Sequence, residues 1–257
     1  MKRKFLDGAE SLYIKGSTTG CLLLHGAGGG TTWDLKDFAY TLNSKLGTSI
    51  WLPTLSGFGT DPQDLYNVTF SDWLHDAHEG INILQQKCEH IFVLGHSMGG
   101  ILALLLASER KEINAIVTWA AALNVKSCML SFLPIINKIP LIKRVIPEKF
   151  SSLVPETLKE QGWVGYDWIP TSIGFTVLEA LRKVKQSLKN VTCPAFIIQG
   201  TMDELVSLNS ARQIYESISS SKKELWYVEG APHPIMNDDL FKVELYTRTI
   251  NFLKEVD

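Results

Sequence analysis

Residues 93–100 read VLGHSMGG and place a serine between two glycines. Gly95 lies two positions before Ser97, and Gly99 lies two positions after it. The apolar run IFVL leads into this stretch and favours a short buried strand, while the run ILALLLA that follows favours a helix. We therefore predict that Ser97 lies on a tight strand-to-helix turn, where glycines avoid collisions with the neighbouring backbone. Two interpretations are open here: a glycine-rich turn with a capping serine, or a turn that presents a nucleophile.

The composition fits a soluble globular chain and excludes several other classes of protein. With 257 residues, 45% of them hydrophobic and 20% charged, the chain can form one α/β domain with a large core. A net charge of −2 provides no basic field, so we expect no nucleic-acid partner. We expect no signal peptide and no transmembrane segment, because the apolar runs are too short for either. The scattered cysteines Cys21, Cys88, Cys128 and Cys193 favour free thiols, which predicts a cytoplasmic location.

Strand-like and helix-like segments alternate along most of the chain. The pattern predicts strands at 21–24, 49–52, 91–94, 113–119, 195–198 and 225–228, and helices at 33–46, 70–84, 101–107, 208–218 and 240–253. Thr69 and Asp72 form a capping-box pattern with Thr69 as the N-cap. This alternation predicts an α/β fold, with a mainly parallel central sheet and helices on both faces. Residues 122–188 break the alternation, so we predict an inserted cap there and a core formed by 1–121 and 189–257.

A nucleophilic serine requires a base and a carboxylate, and both are expected just beyond strand ends. Asp203 follows the predicted strand 195–198, and His233 follows the predicted strand 225–228. His233 is also the only histidine after Ser97 in the sequence. Taken singly, Asp203 could be a turn or capping aspartate, and His233 a surface loop histidine. Their order and their shared position at strand ends favour a catalytic triad with Ser97.

A serine hydrolase also needs two N–H donors for the oxyanion that develops on the substrate. One is expected from Met98, the residue after the nucleophile. The other is expected from the loop HGAGGG at 25–30, which follows the first buried strand, and Ala27 is our first choice there. The alternative for this loop is a flexible glycine run without a role in chemistry. It is not a Walker motif, because no lysine follows it.

Together these segments resemble the α/β-hydrolase superfamily, and within it the small bacterial carboxylesterases and monoacylglycerol lipases. The resemblance lies in LLLHGAGGG (22–30), LPTLSGFGTDPQDL (52–65), TFSDWLHDAHEGINIL (69–84), IFVLGHSMGGILALLLA (91–107), CPAFIIQGTMDELV (193–206) and the loop around His233. It implies an α/β-hydrolase fold with a cap at about 122–188. It also implies the following roles: nucleophile Ser97, acid Asp203, base His233, and oxyanion donors Ala27 and Met98.

Substrate contacts are expected from the glycine loop and from the predicted cap. We assign Gly28, Leu133, Ile136, Trp163 and Tyr166 as candidate substrate-binding residues. Leu133 and Ile136 belong to a strongly apolar stretch that either packs on the core or covers an acyl chain. The basic residues of this stretch leave open a transient contact with lipid surfaces. Trp163 and Tyr166 either line the same pocket or form the core of the cap.

We therefore predict a serine carboxylic-ester hydrolase that acts on short- to medium-chain acyl esters or on monoacylglycerols. Its expected partner is a small-molecule ester, with no cofactor and no metal; His75 and His78 are at helical spacing but lack a third ligand. The alternatives are a hydroxycinnamoyl esterase, a C–C bond hydrolase or a peptidase on the same scaffold. A binding protein without catalysis is a further alternative, but it would not need Ser97, Asp203 and His233 together.

Overall fold

A seven-stranded sheet forms the centre of the protein. The computed structural model describes residues 4–126, 148–152, 154 and 156–257. Its strands are β1 (Leu12–Ile14), β2 (Thr19–Leu24), β3 (Ser49–Leu52), β4 (His90–His96), β5 (Ile113–Trp119), β6 (Lys149–Ser151), β7 (Trp168–Pro170), β8 (Ala195–Gly200) and β9 (Lys223–Val228). The central sheet has the order β1-β3-β2-β4-β5-β8-β9, and β6 and β7 form a separate antiparallel pair. All neighbouring pairs of the central sheet are parallel except β1 with β3.

Helices cover both faces of this sheet. They are α1 (Trp33–Leu46), α2 (Phe70–Gln85), α3 (Met98–Glu109), α4 (Glu156–Glu160), α5 (Ser172–Ser187), α6 (Asn209–Ser217) and α7 (Lys242–Val256). The buried residues of α1 and α7 share one apolar cluster, whereas those of α2, α3, α5 and α6 share the other. Every residue of β2 is buried, as expected for a strand covered on both faces. The predicted α/β architecture is therefore confirmed.

Local sequence signals account for several helix boundaries. The helix predicted at 33–46 and the strand predicted at 49–52 have those bounds in the structure. The capping box predicted at Thr69 is present: the Thr69 side chain accepts from the Asp72 N–H, and the Asp72 carboxylate accepts from the Thr69 N–H. Helix α3 is apolar on all sides, which fits a helix whose residues are almost all buried.

The structure adds elements that the sequence pattern did not reveal. Strand β1 is a three-residue antiparallel edge strand, too short to show a clear alternation. Helix α5 lies inside the predicted cap, yet its Leu181 and Val184 are buried in the same cluster as α3. The division into core and cap at 122 and 188 stays a prediction. Among the described residues, each helix is too short or too polar to cross a lipid bilayer.

Candidate active site

Ser97 lies in a strained turn between β4 and α3. Its backbone has φ 55° and ψ −116°, a region that side-chain-bearing residues rarely adopt. A Cβ at Gly95 would overlap the Gly99 carbonyl, and a Cβ at Gly99 would overlap the Leu24 carbonyl of β2. The Ser97 N–H donates to the Trp119 carbonyl at 2.9 Å, which fixes the turn to β5. The glycines are thus required by close backbone packing, and the turn projects the serine from the carboxyl edge of the sheet.

Ser97, His233 and Asp203 form one chain of hydrogen bonds. The Ser97 hydroxyl lies 3.1 Å from His233 Nε2, and His233 Nδ1 lies 2.7 Å from Asp203 Oδ2. The three residues follow β4, β9 and β8, whose carboxyl ends meet at one edge because the strands are parallel. Asp203 is fully buried and His233 is 8% exposed. Three loops that are distant in sequence therefore meet in an arrangement suited to nucleophilic catalysis.

The Asp203 carboxylate is held by four hydrogen bonds. Its Oδ1 accepts from the N–H groups of Leu205 at 2.9 Å and Val206 at 2.7 Å. Its Oδ2 accepts from His233 and from the Gln199 side-chain amide, each at 2.7 Å. Burial raises the pKa of Asp203, but its bond to His233, the charge of that histidine and the backbone donors outweigh burial and lower the pKa. The carboxylate is therefore ionised at neutral pH and can orient His233.

The neighbouring carboxylates do not contact the His233 ring. Glu204 Oε2 lies 3.5 Å from the His233 backbone nitrogen. Asp238 accepts from the Leu240 N–H, and Asp239 pairs with Lys242. Of the four carboxylates Asp203, Glu204, Asp238 and Asp239, Asp203 is the one that bonds to the His233 ring.

His96 holds the loop that carries His233, a contact that the sequence did not suggest. His96 Nε2 lies 3.0 Å from the His233 carbonyl oxygen, and the centroids of the two imidazole rings are 4.9 Å apart. Burial, reinforced by the nearby charge of His233, lowers the pKa of His96 to about 3. His96 is therefore neutral and donates its Nε2–H to that carbonyl. Its position between Gly95 and Ser97 was visible in the sequence, but its partner 137 residues away was not.

The loop after β2 lies against the nucleophile. His25 is buried; its Nδ1 donates to the Gly26 carbonyl at 2.8 Å, and its Nε2 accepts from the Leu55 N–H at 3.1 Å. Burial lowers the pKa of His25 to about 4, so the ring stays neutral in this role. A Cβ built on Gly26 would lie 3.2 Å from the Ser97 Cβ. The loop is thereby fixed beside Ser97.

Of the two predicted oxyanion donors, Met98 directly follows Ser97, and Ala27 directly follows Gly26, which packs against Ser97. Met98 is the first residue of α3, so its N–H has no acceptor within the helix. The Ala27 N–H makes no backbone hydrogen bond among the described residues, and Ala27 is buried one residue after Gly26. Neither N–H has a backbone acceptor among the described residues, and their role as oxyanion donors stays a prediction.

A cavity of about 280 Å³ opens at Ser97 and His233. Its remaining described walls are Gly26, Gly28, Gly30, Asp34, His96, Val154, Leu158, Trp163, Glu204, Leu205, Pro232, Pro234 and Asn237. Gly28 and Trp163, two of the candidate substrate-binding residues, line this cavity. Leu133 and Ile136 lie outside the described residues.

Of the two positions that the sequence left open for Tyr166, pocket wall or packed core, its surroundings fit the packed one. Its side chain is only 2% exposed and is not part of the cavity wall. Its hydroxyl bonds to the Gly57 carbonyl and to the Thr60 N–H. A direct substrate contact therefore does not fit its position, because the ring is packed between loops of the core.

Asp34 is a polar residue of the cavity wall that no sequence motif indicated. Its Oδ1 accepts from the Trp163 indole N–H at 2.9 Å. Burial raises its pKa to about 7, although the Trp163 bond and the charge of His233 lower it in part. The cavity next to the nucleophile thus contains a carboxyl group that titrates near neutral pH.

Residues 17–239 match the protein family described as "Serine aminopeptidase, S33". The chain belongs to this family. A thermostable monoacylglycerol lipase from Bacillus sp. (strain H-257) is 32% identical over 228 residues, which cover 89% of this chain and 88% of that protein. A carboxylesterase from Bacillus subtilis (strain 168) is 26% identical over 248 residues, which cover 95% of this chain and 96% of that protein.

The solved structures agree with this assignment. A structure from work on LipS and LipT, two metagenome-derived lipolytic enzymes, has a TM-score of 0.87 and 28% identity, and covers 98% of this chain and 100% of that chain. The protein is therefore a hydrolase with the α/β-hydrolase fold, as the resemblance implied.

Proposed function

We propose that this protein is a serine carboxylic-ester hydrolase that acts through an acyl-enzyme on short- to medium-chain acyl esters or monoacylglycerols. The observation that carries the proposal is the hydrogen-bonded chain Ser97–His233–Asp203, with distances of 3.1 and 2.7 Å. The substrate class is supported by two relatives, one named a monoacylglycerol lipase and the other a carboxylesterase. The reaction needs only groups of this chain and water.

In the first half of the reaction, Ser97 is acylated. Its Oγ attacks the ester carbonyl carbon while His233 Nε2 takes the hydroxyl proton. Asp203 stabilises the imidazolium that results, without accepting its proton. The N–H groups of Ala27 and Met98 donate to the oxyanion of the tetrahedral intermediate. This intermediate collapses, the carbon–oxygen bond to the alcohol breaks, and His233 protonates the departing alcohol.

In the second half, water releases the acyl group. His233 takes a proton from a water molecule, whose oxygen attacks the acyl carbon attached to Ser97. The second tetrahedral intermediate is held by the same two N–H groups. It collapses to a carboxylic acid, and Ser97 Oγ regains its proton from His233. The net reaction consumes one ester and one water and yields one acid and one alcohol.

The apolar residues in the cavity wall favour binding of an apolar acyl group. Val154, Leu158, Trp163 and Leu205 provide aliphatic and aromatic surface on the described part of the wall. Each methylene buried against such surface contributes about 0.8 kcal/mol at most. We propose that residues 122–188 form the cap over this site; Leu133 and Ile136, assigned to its apolar stretch from the sequence, lie outside the described residues. A transient contact with lipid surfaces and a cytoplasmic location stay predictions from the sequence.

A substrate panel tests the proposal. We expect kcat/KM to rise from p-nitrophenyl acetate to medium-chain esters and then to level off, and we expect monoacylglycerols to be cleaved. Ser97→Ala should abolish both the turnover and labelling by a fluorophosphonate probe. Labelling that persists in Ser97→Ala would place the nucleophile elsewhere. A preference for methyl ferulate would favour the hydroxycinnamoyl esterase, and preferred cleavage of aminoacyl amides would favour a peptidase.

A further inference from the structure

Residues 163–166 cross directly over the loop that carries Ala27. The Tyr166 N–H donates to the Gly29 carbonyl at 2.9 Å. Two residues along the loop, the Thr31 hydroxyl donates to the Val164 carbonyl at 2.7 Å. We call residues 163–166 the strap. The strap thus binds the Ala27 loop by the main chain, independently of the side chains within the strap.

The strap and the loop are packed without spare room. Gly29 has φ +99°, and a Cβ there would lie 2.8 Å from the Tyr166 carbonyl oxygen. A Cβ at Gly165 would overlap the Gly29 carbonyl. A small shift of the strap is therefore transmitted to Gly29, because close-packed groups cannot absorb it.

The side chain of Tyr166 contacts the residues that hold the Ala27 loop on the His25 side. Its hydroxyl donates to the Gly57 carbonyl at 2.9 Å and accepts from the Thr60 N–H at 2.8 Å. Its ring stacks on Phe58 with centroids 6.2 Å apart and an interplanar angle of 17°. Phe58 in turn meets the His25 ring edge-on at 5.2 Å.

Both anchors of the Ala27 loop therefore converge on Tyr166. On one side of Ala27, His25 bonds to the Gly26 carbonyl and packs against Phe58, on which Tyr166 stacks. On the other side, the backbone of Tyr166 holds Gly29.

We propose that Tyr166 is a positioning residue for the oxyanion hole: it holds the loop on both sides of Ala27 so that the Ala27 N–H points at the oxygen of the tetrahedral intermediate. The inference rests on the proposed function, since it takes Ala27 as an oxyanion donor. It replaces the direct substrate contact suggested by the sequence, which the 2% exposure of Tyr166 does not favour. A positioning role acts on the transition state and not on substrate binding, because the oxyanion forms only during reaction.

Two variants test this inference, with one matched control. Tyr166→Phe removes the hydroxyl that holds Gly57 and Thr60. Gly165→Ala presses a methyl group against the Gly29 carbonyl and also against the Trp163 ring of the cavity wall, so it disturbs the loop and the wall together. Tyr66→Phe is the control, because its hydroxyl also joins two segments distant in sequence, reaching Glu148 at 3.1 Å, without contacting the Ala27 loop.

The readouts separate positioning from stability. We expect kcat to fall about 10-fold in Tyr166→Phe with KM unchanged, and about 100-fold in Gly165→Ala, where a moved Trp163 ring also changes KM. In Tyr166→Phe the fall should be equal for acetate and octanoate esters. A trifluoromethyl ketone, whose adduct with Ser97 places an oxyanion in the hole, should bind more weakly by the same factors. Tyr66→Phe should keep the wild-type kcat and inhibitor affinity.

Active-site titration with a fluorophosphonate, run to completion, counts the folded sites, so that kcat refers to competent enzyme even in a destabilised variant. Wild-type kcat per labelled site in both Tyr166→Phe and Gly165→Ala would overturn the inference. So would a loss confined to KM or to long-chain esters, because that result would make Tyr166 a substrate contact. These outcomes leave the proposed function intact, whereas reaction of the probe in Ser97→Ala would overturn the proposed function itself.

Discussion

The His96 side chain bonds to the backbone of His233: His96 Nε2 lies 3.0 Å from the His233 carbonyl oxygen, and both residues are buried. The two residues therefore connect the turn that carries the nucleophile to the loop that carries the base. The bond is available across the working pH range because burial keeps His96 neutral, with a pKa of about 3.

Replacing His96 should slow the reaction without weakening substrate binding. His96→Leu leaves the His233 carbonyl without a donor, and an unpaired buried carbonyl costs about 1–3 kcal/mol. The loop is expected to shift to relieve this cost, and kcat should fall about 10-fold or more with KM unchanged. His96→Gln retains a side-chain N–H donor and should recover most of the activity. Steady-state kinetics on one ester checks both variants; equal activity in His96→Leu and the wild type would show that the bond does not position His233.

The two adjacent carboxylates Asp203 and Glu204 should differ sharply in their effect on activity. Asp203→Asn removes the charge that orients His233, and we expect kcat to fall by about 10³-fold or more. Glu204→Gln should change kcat by less than about 3-fold, because Glu204 reaches only the backbone nitrogen of His233. Each variant serves as the control for the other, and kcat per titrated active site is the measurement. The reverse ranking would assign the acid to Glu204.

Asp34 should make the stability of the protein depend on pH. Its pKa is about 7 in the folded protein and about 3.9 in the unfolded chain, so the folded state holds its proton more tightly. The contribution of Asp34 to stability is therefore fully present below about pH 4 and is lost as the pH rises to 7. Above pH 7 the folded protein contains a poorly solvated carboxylate.

Asp34→Asn removes this cost and keeps an acceptor for the Trp163 indole. Each pKa unit corresponds to about 1.4 kcal/mol, and a domain of this size gains about 2–4 °C in Tm per kcal/mol. We expect the variant to melt at least about 3 °C above the wild type at pH 8 and to lose this advantage by pH 4. Asp37→Asn, an exposed position on the same helix, is the matched control and should show no such trend. A difference in Tm that does not vary with pH would contradict the raised pKa of Asp34.

The positions of Ser97, Asp203 and His233 could be predicted because they depend on chain order and strand polarity. Each lies just beyond a buried strand, and parallel strands bring their carboxyl ends to one edge. The glycines on either side of Ser97 indicated the tight turn from the sequence alone. The strands and turns are local features of the sequence, and their order along the chain placed the three residues at one edge of the sheet.

Contacts between distant segments could not be predicted in this way. His96 occupies a visible position, but its partner, the His233 carbonyl, depends on how the ends of β4 and β9 are placed in the sheet. Tyr166 lies in a stretch with no regular pattern, and its aromatic character fitted a pocket wall as well as a packed core. Its backbone bond to Gly29 leaves no trace in the identity of either residue except the glycine itself.

Transfer of the acyl group from an ester to Ser97 produces an acyl-enzyme, and trapping this intermediate is the sharpest test of the proposed mechanism. The enzyme is mixed with excess p-nitrophenyl butyrate, quenched in acid within milliseconds and analysed by intact-mass and peptide mass spectrometry. Where deacylation is the slower step, we predict a burst of p-nitrophenol close to one equivalent per active site and a butyryl group on the peptide that contains Ser97. Slowing deacylation with a carbamoyl ester should raise the modified fraction towards one. A carbamoyl group found on another residue, or turnover with Ser97 unmodified under carbamoylating conditions, would show that Ser97 is not the nucleophile.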